Sequence, residues 1–242
     1  DERRYFDPDG SPFIFDVKGV KCAINICEDV WFSRAPKMAK TAGADIILIL
    51  NASPFHLDKQ NERLAVVKKN VTKIGLPAVF CNMVGGQDEL IFDGNSFVIN
   101  ENGDTLINAK QFECDLISFD YIKNGNSTVG RIEKPKKLLL QIYSALVVGT
   151  KDYASKNGFT NVLIGLSGGI DSALTLSIAV EALGSKNVTA VMMPSKYTSE
   201  LSLNDSQVCA KNLGVDLQII SIESLIKEFE NSLFDSFRGL SR

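Results

Sequence analysis

Asn161-Val162-Leu163-Ile164-Gly165-Leu166-Ser167-Gly168-Gly169-Ile170-Asp171-Ser172-Ala173-Leu174-Thr175-Leu176 decides how the chain is read. Asn161 to Gly165 is an apolar run of strand length. Ala173 to Val180 reads as a helix. A strand that ends in small residues and opens a helix turns several free backbone N–H groups toward one point. The helix dipole is positive there, so the place attracts phosphate. Gly168 and Gly169 permit close backbone approach and unusual φ. Ser167 and Ser172 add hydroxyls, and Asp171 supplies a carboxylate suited to Mg2+ beside a polyphosphate.

Outward from this stretch the pattern repeats. A helix over 138–153, with Leu139, Ile142, Leu146 and Val147 at near-helical spacing, ends by Gly158. Then come strand 161–165, helix 173–183, strand 188–193, helix 203–213, strand 215–220 and helix 222–234. Alternation of this kind predicts a doubly wound parallel sheet, whose ligands sit outside the carboxyl ends of the strands. The Ser167 loop follows one such end, and Pro194-Ser195-Lys196-Tyr197-Thr198-Ser199 follows the next. The loop lacks the Gly-Lys-Ser/Thr ending of a Walker A sequence and the Gly-x-Gly-x-x-Gly of a dinucleotide fold.

Upstream, Val20 to Cys27 alternates as a strand, and Glu28-Asp29-Val30-Trp31-Phe32 turns the chain. A helix is expected from Arg34 to Thr41 and a buried strand from Asp45 to Leu50. An amphipathic helix follows over 58–74, with Leu64, Val67, Val71 and Ile74 on one face. Ala78 to Asn82 is another strand. Ile91 to Ile99 reads as a hairpin around Asp93-Gly94, and Ile107, Leu116, Ile117 and Phe119 as further strand material. Strand–helix alternation followed by hairpins predicts a layered α/β sandwich with a mixed sheet. The polar stretch near 121–135, with Asn124-Gly125-Asn126 and Pro135, is read as a linker. It divides the chain into domains over 1–130 and 131–242.

The 242 residues are 45% hydrophobic and 23% charged, ordinary for a globular protein. A net charge of −3 speaks against a nucleic-acid surface or a basic membrane-binding face. No apolar run reaches the ~20 residues of a bilayer span, and no signal peptide is recognised. A cytoplasmic location is therefore expected. The five cysteines, Cys22, Cys27, Cys81, Cys114 and Cys209, are scattered without a CxxC pair. They suit reduced thiols rather than a disulfide framework. With His56 the single histidine, zinc, a Ser-His-Asp triad and a Cys-His pair are all disfavoured. Cys27, at a sharp turn after a strand, occupies a nucleophile position; taken alone it reads more readily as a small apolar residue closing that strand.

Ser167-Gly168-Gly169-Ile170-Asp171-Ser172 resembles the signature of the ATP pyrophosphatases, which cleave ATP between the α- and β-phosphates. Ile164 to Leu174 and Val191-Met192-Met193-Pro194-Ser195-Lys196-Tyr197-Thr198-Ser199, with Ser202, Asp205 and Leu213-Gly214, look like the NAD+ synthetase form. Ile26-Cys27-Glu28-Asp29-Val30-Trp31 is similar to the nucleophile segment of nitrilase-type amidases, above all the glutaminase domain of glutamine-dependent NAD+ synthetases. Asp1 to Phe6, Leu50-Asn51-Ala52-Ser53-Pro54-Phe55 and Asn82 to Gly94 resemble the same domain, in the same order.

The resemblance implies the C-terminal part of an α-β-β-α nitrilase-like sandwich, followed by the start of an ATP pyrophosphatase domain. It implies Cys27 as nucleophile of a Glu–Lys–Cys triad, with Glu28, Ser53 and Lys59 at the glutamine. Gly165, Leu166, Ser167, Gly168, Gly169, Ile170, Asp171 and Ser172 would bind ATP, and Asp171 would hold Mg2+. Ammonia freed from glutamine would displace AMP from adenylated deamido-NAD+, giving NAD+. The alternative is an amidotransferase of the same class acting on a different carboxylate. The triad's Glu and Lys would lie before Asp1. A second metal ligand and most deamido-NAD+ contacts would lie beyond Arg242. An internal piece of a longer protein is thus expected, inactive alone, and in the whole protein a homo-oligomer.

Overall fold

The computed structural model describes residues 4–7, 9–123 and 127–236. The resemblance carried by Asp1-Glu2-Arg3 and the turn at Asn124-Gly125-Asn126 fall outside them. Two compact units divide the chain, residues 1–149 and 150–242.

In the first unit, β1 (Ile14–Val17) pairs antiparallel with β2 (Val20–Ile26). Strands β2, β3 (Ile46–Asn51) and β4 (Ala78–Asn82) run parallel. Then β7 (Phe97–Ile99) and β8 (Thr105–Asn108) complete a six-stranded mixed sheet in the order β1-β2-β3-β4-β7-β8. Between them β5 (Val84–Gln87) and β6 (Leu90–Asp93) form a separate hairpin. Ala23, Ile47, Ile49, Ala78, Phe80 and Phe97 bury one sheet face against α1 (Arg34–Thr41) and α2 (Lys59–Ile74). Phe80 and Phe97 stack there with ring centroids 4.6 Å apart. Helix α2 stops where Gly75, at φ +62°, returns its N–H to the Val71 carbonyl.

Two expectations for this unit are corrected. The hairpin turns at Asp88–Glu89, joining β5 to β6, and not at Asp93-Gly94. Gly94 and Asn95 both take left-handed φ, +64° and +57°, and the Gly94 N–H goes back to the Met83 carbonyl. The dipeptide is therefore a corner leading from β6 to β7. Leu116, Ile117 and Phe119 form no strand: Ile117 and Phe119 pack as side chains over Val98 and Ile107, and Leu116 is exposed. The stretch read as a linker runs beside β8, where the Asn108 N–H reaches the Arg131 carbonyl and the Glu133 N–H the Asn108 carbonyl. Helix α3 (Leu138–Lys156) runs across the boundary between the units.

The second unit holds three parallel strands in the order β11-β10-β9: β9 (Val162–Gly165), β10 (Val188–Met192) and β11 (Asp216–Ile219). The crossovers are α4 (Ile170–Leu183) and α5 (Glu200–Leu213), and α6 (Glu223–Leu233) follows β11. Leu176 and Ala179 of α4 and Ala210 of α5 share one core with Val188 and Ala190. Both crossover helices thus lie on one face of this sheet. Helix α4 starts at Ile170, three residues before the expected Ala173, because Gly169 takes extended N-cap geometry. Ile170, Asp171 and Ser172 consequently belong to the first helical turn.

Candidate functional site

The parallel register aligns Ile26 with Leu50, and Asn51 with Asn82. The carboxyl ends of β2, β3 and β4 therefore bring Cys27, the Asn51–Phe55 segment and Asn82 to one edge of the first unit. Cys27 opens a 3-10 turn over Cys27–Trp31 with φ +46°, a left-handed conformation unfavourable for any side chain. The turn is braced twice. Asp29 accepts the Ile26 N–H at 2.8 Å, and buried Asn70 on α2 donates to the Val30 carbonyl. Cys27 is half-buried and Glu28 beside it is exposed.

Ser53 is buried, and its position is set by others. Its N–H donates to Asn82 Oδ1 at 3.0 Å, and its hydroxyl oxygen accepts from Arg63 Nε at 3.2 Å. Lys59 begins α2, donates to Glu62 Oε2 at 2.8 Å and lies 4.2 Å from the centre of the Trp31 ring. That contact joins it to the turn carrying Cys27. Glu62 is held below the usual carboxylate range, chiefly by the Lys59 hydrogen bond.

Arg63 escapes a reading by charge. Its guanidinium is fully buried and pairs with Asp93 at 2.7 Å. The signal was its spacing: positions 63, 67 and 71 fall on the buried stripe of α2. Asp93 anchors in turn the corner that Gly94 and Asn95 form.

In the second unit, the loop between β9 and α4 folds on its own hydroxyls. Ser172 Oγ accepts the Ser167 N–H at 3.2 Å and donates to the Gly169 carbonyl at 2.9 Å. Ser167 Oγ accepts the Gly169 N–H at 3.3 Å. Leu166 is buried and donates its N–H to the Val191 carbonyl, which ties the loop to β10. Gly168 has φ +80° and sits against the first turn of α5, whose Ser199 cap accepts the Ser202 N–H. Gly165, Ile170 and Asp171 are exposed. A cleft of about 220 Å³ opens beside the loop, lined by Gly168, Gly169, Ile170, Asp205 and Ser206. Among the described residues the buried Ser206 hydroxyl has no hydrogen-bond partner.

Comparison with known proteins follows this division. Residues 1–121 match the carbon-nitrogen hydrolase family, half of the chain. The chain belongs to the carbon-nitrogen hydrolase family. Residues 142–240 match NAD synthase, so a segment of NAD synthase type follows the carbon-nitrogen hydrolase match on the same chain. Over 98% of its length it is 38% identical to a glutamine-dependent NAD(+) synthetase of Acinetobacter baylyi, and over its full length 40% identical to one of Xylella fastidiosa. It spans 44% and 45% of those relatives, less than half of each. A solved glutamine-dependent NAD+ synthetase of Acinetobacter baumannii, in complex with ADP, superposes on the whole chain with a TM-score of 0.93 at 38% identity, 46% of that chain being covered. A second, from Cytophaga hutchinsonii, shares the fold at 17% identity with a TM-score of 0.71.

Among the described residues no group of three His, Cys, Asp or Glu side chains forms a metal cage. Asp171, exposed in the first turn of α4, suits Mg2+ in the way of nucleotide sites, where one or two carboxylates act together with phosphate oxygens. No helix among the described residues is long and apolar enough to cross a membrane.

Proposed function

We propose that this chain works within a glutamine-dependent NAD+ synthetase, amidating deamido-NAD+ at the expense of ATP. The observation that carries the reading is the pairing, on one chain, of a left-handed cysteine at the end of parallel strands with a Ser-Gly-Gly-Ile-Asp-Ser loop at the start of α4. Cys27 is the nucleophile. Its sulfur adds to the side-chain amide carbon of glutamine, ammonia leaves, and water then cleaves the thioester to glutamate. Glu28, Ser53 and Lys59 hold the glutamine.

At the second site the carboxylate of deamido-NAD+ attacks the α-phosphorus of ATP, and pyrophosphate departs. Ammonia attacks the acyl adenylate and AMP leaves. Adenylation is needed because a free carboxylate is a poor electrophile. Gly165 to Ser172 cradle the polyphosphate, the backbone N–H groups at the start of α4 meeting charge that builds on the leaving pyrophosphate. Asp171 would hold Mg2+, which supplies further neutralisation of that charge. We place the working boundary between the two chemistries near residue 130, and the enzyme in the cytoplasm as a homo-oligomer.

The test is an assay of the full-length enzyme with ATP, Mg2+ and deamido-NAD+, given glutamine or ammonium. NAD+, AMP and pyrophosphate are expected from either nitrogen source. ADP and phosphate as products would overturn the pyrophosphatase reading. Amidation of another carboxylate in preference to deamido-NAD+ would move the substrate assignment.

A further inference from the structure

We propose that Arg63 is the positioning residue of the glutamine site, fixing the Ser53 peptide and hydroxyl oxygen and leaving the Ser53 proton for an acceptor on the ligand. This role rests on the reading of Cys27, Ser53 and Lys59 as a glutamine site.

A guanidinium has five N–H donors. Those of Arg63 meet five acceptors: Ser53 Oγ at 3.2 Å, Asp93 Oδ1 at 2.7 Å, Gln60 Oε1 at 3.4 Å, and the carbonyls of Ser53 at 2.6 Å and Pro54 at 3.2 Å. Its side chain is 0% exposed and its charge is balanced by Asp93, 1% exposed. Arg63 therefore has nothing left to offer a substrate directly. It acts through Ser53, clamping that residue's hydroxyl oxygen and carbonyl while Asn82 takes the N–H.

This arrangement sets the polarity of Ser53. A hydroxyl has one proton and accepts through its lone pairs. Arg63 Nε already donates to the oxygen, and among the described residues no acceptor takes the proton. The ligand atom that meets it is therefore an acceptor. Glutamine has two acceptor groups; with its side-chain amide at Cys27, the one left for the Ser53 proton is the α-carboxylate, beside a buried guanidinium that repels the ammonium group. Lys59 lies four residues before Arg63 on the same face of α2 and adds a cation to the same side. The site built this way selects for a free α-carboxylate.

Full-length enzyme carrying Arg63→Lys, Ser53→Ala or both tests the assignment, with glutamate release measured on glutamine and on its α-amide. Lysine keeps the charge beside Asp93 but cannot span five acceptors. Each single variant is expected to raise KM for glutamine about tenfold or more while kcat changes far less. Each should also lose the wild-type preference for glutamine over the α-amide. The double variant should be no worse than the more affected single, because both act through one hydroxyl. A lowered melting temperature with KM and preference intact, or multiplied KM effects in the double variant, overturns the assignment. Should Arg63→Lys fail to fold, Ser53→Ala decides alone: a retained preference for the free carboxylate overturns it. Wild-type enzyme unable to hydrolyse glutamine would remove the glutamine-site reading and this one together, whereas hydrolysis with variants indifferent to the α-carboxylate removes this one alone.

Discussion

A Cβ atom placed on Gly168 would sit 2.5 Å from the Ser202 carbonyl oxygen and 2.6 Å from its Cα. The Ser167–Ser172 loop and the first turn of α5 are thus in backbone contact, and neither gives way by a side-chain rotation. Gly168 also holds φ +80°, which an L side chain resists. Gly168→Ala must move the loop, α5 or both. A shift of about 1 Å at a reacting centre costs on the order of 10²-fold in rate. Formation of AMP from ATP by the full-length variant is expected to fall at least that far, with glutamine or ammonium as donor. A variant within threefold of wild type would show that the loop's shape is not what the chemistry uses.

The turn that carries Cys27 depends on Asn70. Its amide donates to the Val30 carbonyl from a buried position on α2. Asn70→Ala leaves that carbonyl without its partner, at a cost of about 1–3 kcal/mol. Melting temperature should drop by several degrees and glutamine hydrolysis should fall. Asn70→Asp keeps the shape but sets an acceptor against the carbonyl, so it should be at least as damaging. Full glutamine hydrolysis in both variants would mean that Asp29 alone holds the turn.

Strands β2, β3 and β4 were legible because apolar runs ended in turn residues, and the Ser167–Ser172 loop because its string is specific. Arg63 was not, since a charge on an amphipathic helix is read as solvent-facing unless its place on the buried stripe is counted. Asp93-Gly94 misled for a related reason. The dipeptide has hairpin chemistry, but the Asp93 carboxylate is held by Arg63 inside the unit. The true hairpin strand Val84–Gln87 contains two glycines and carries little strand signal. The start of α4 is hidden because polar Asp171 and Ser172 separate Ile170 from the run that begins at Ala173, while the cap at Gly169 is a backbone matter.

Asp45 gives the first unit an acid-sensitive joint. Its carboxylate accepts the Lys21 N–H at 2.9 Å and pairs with Lys123 at 2.9 Å. The backbone hydrogen bond first, and Lys123 second, hold it below the usual aspartate range. A carboxyl that binds its proton less readily when folded favours the folded state above the unfolded pKa of about 4, and that contribution is lost as pH falls through the folded value. Asp45→Asn should lower the melting temperature at pH 7 by a few degrees and make it less pH-dependent below about pH 4. Parallel wild-type and variant curves through that acid range would remove Asp45 from the account.

Substitutions at Cys27 and Asp171 test the two proposed chemistries separately. Alanine meets the same left-handed cost at φ +46° as cysteine, so Cys27→Ala removes the thiol while leaving the backbone strain as it was. The full-length variant should fold with a melting temperature near wild type. It should lose glutamine-dependent NAD+ formation to background, since the proposed thioester forms on the Cys27 sulfur. Formation from ammonium should continue, because that route needs no amide cleavage. Asp171→Asn, in the first turn of α4, should instead depress AMP formation by about 10²-fold or more with both donors, as expected when one group that stabilises developing phosphate charge is removed. Loss of the ammonium route in Cys27→Ala would make Cys27 a structural residue, and equal use of both donors by that variant would place the nucleophile elsewhere.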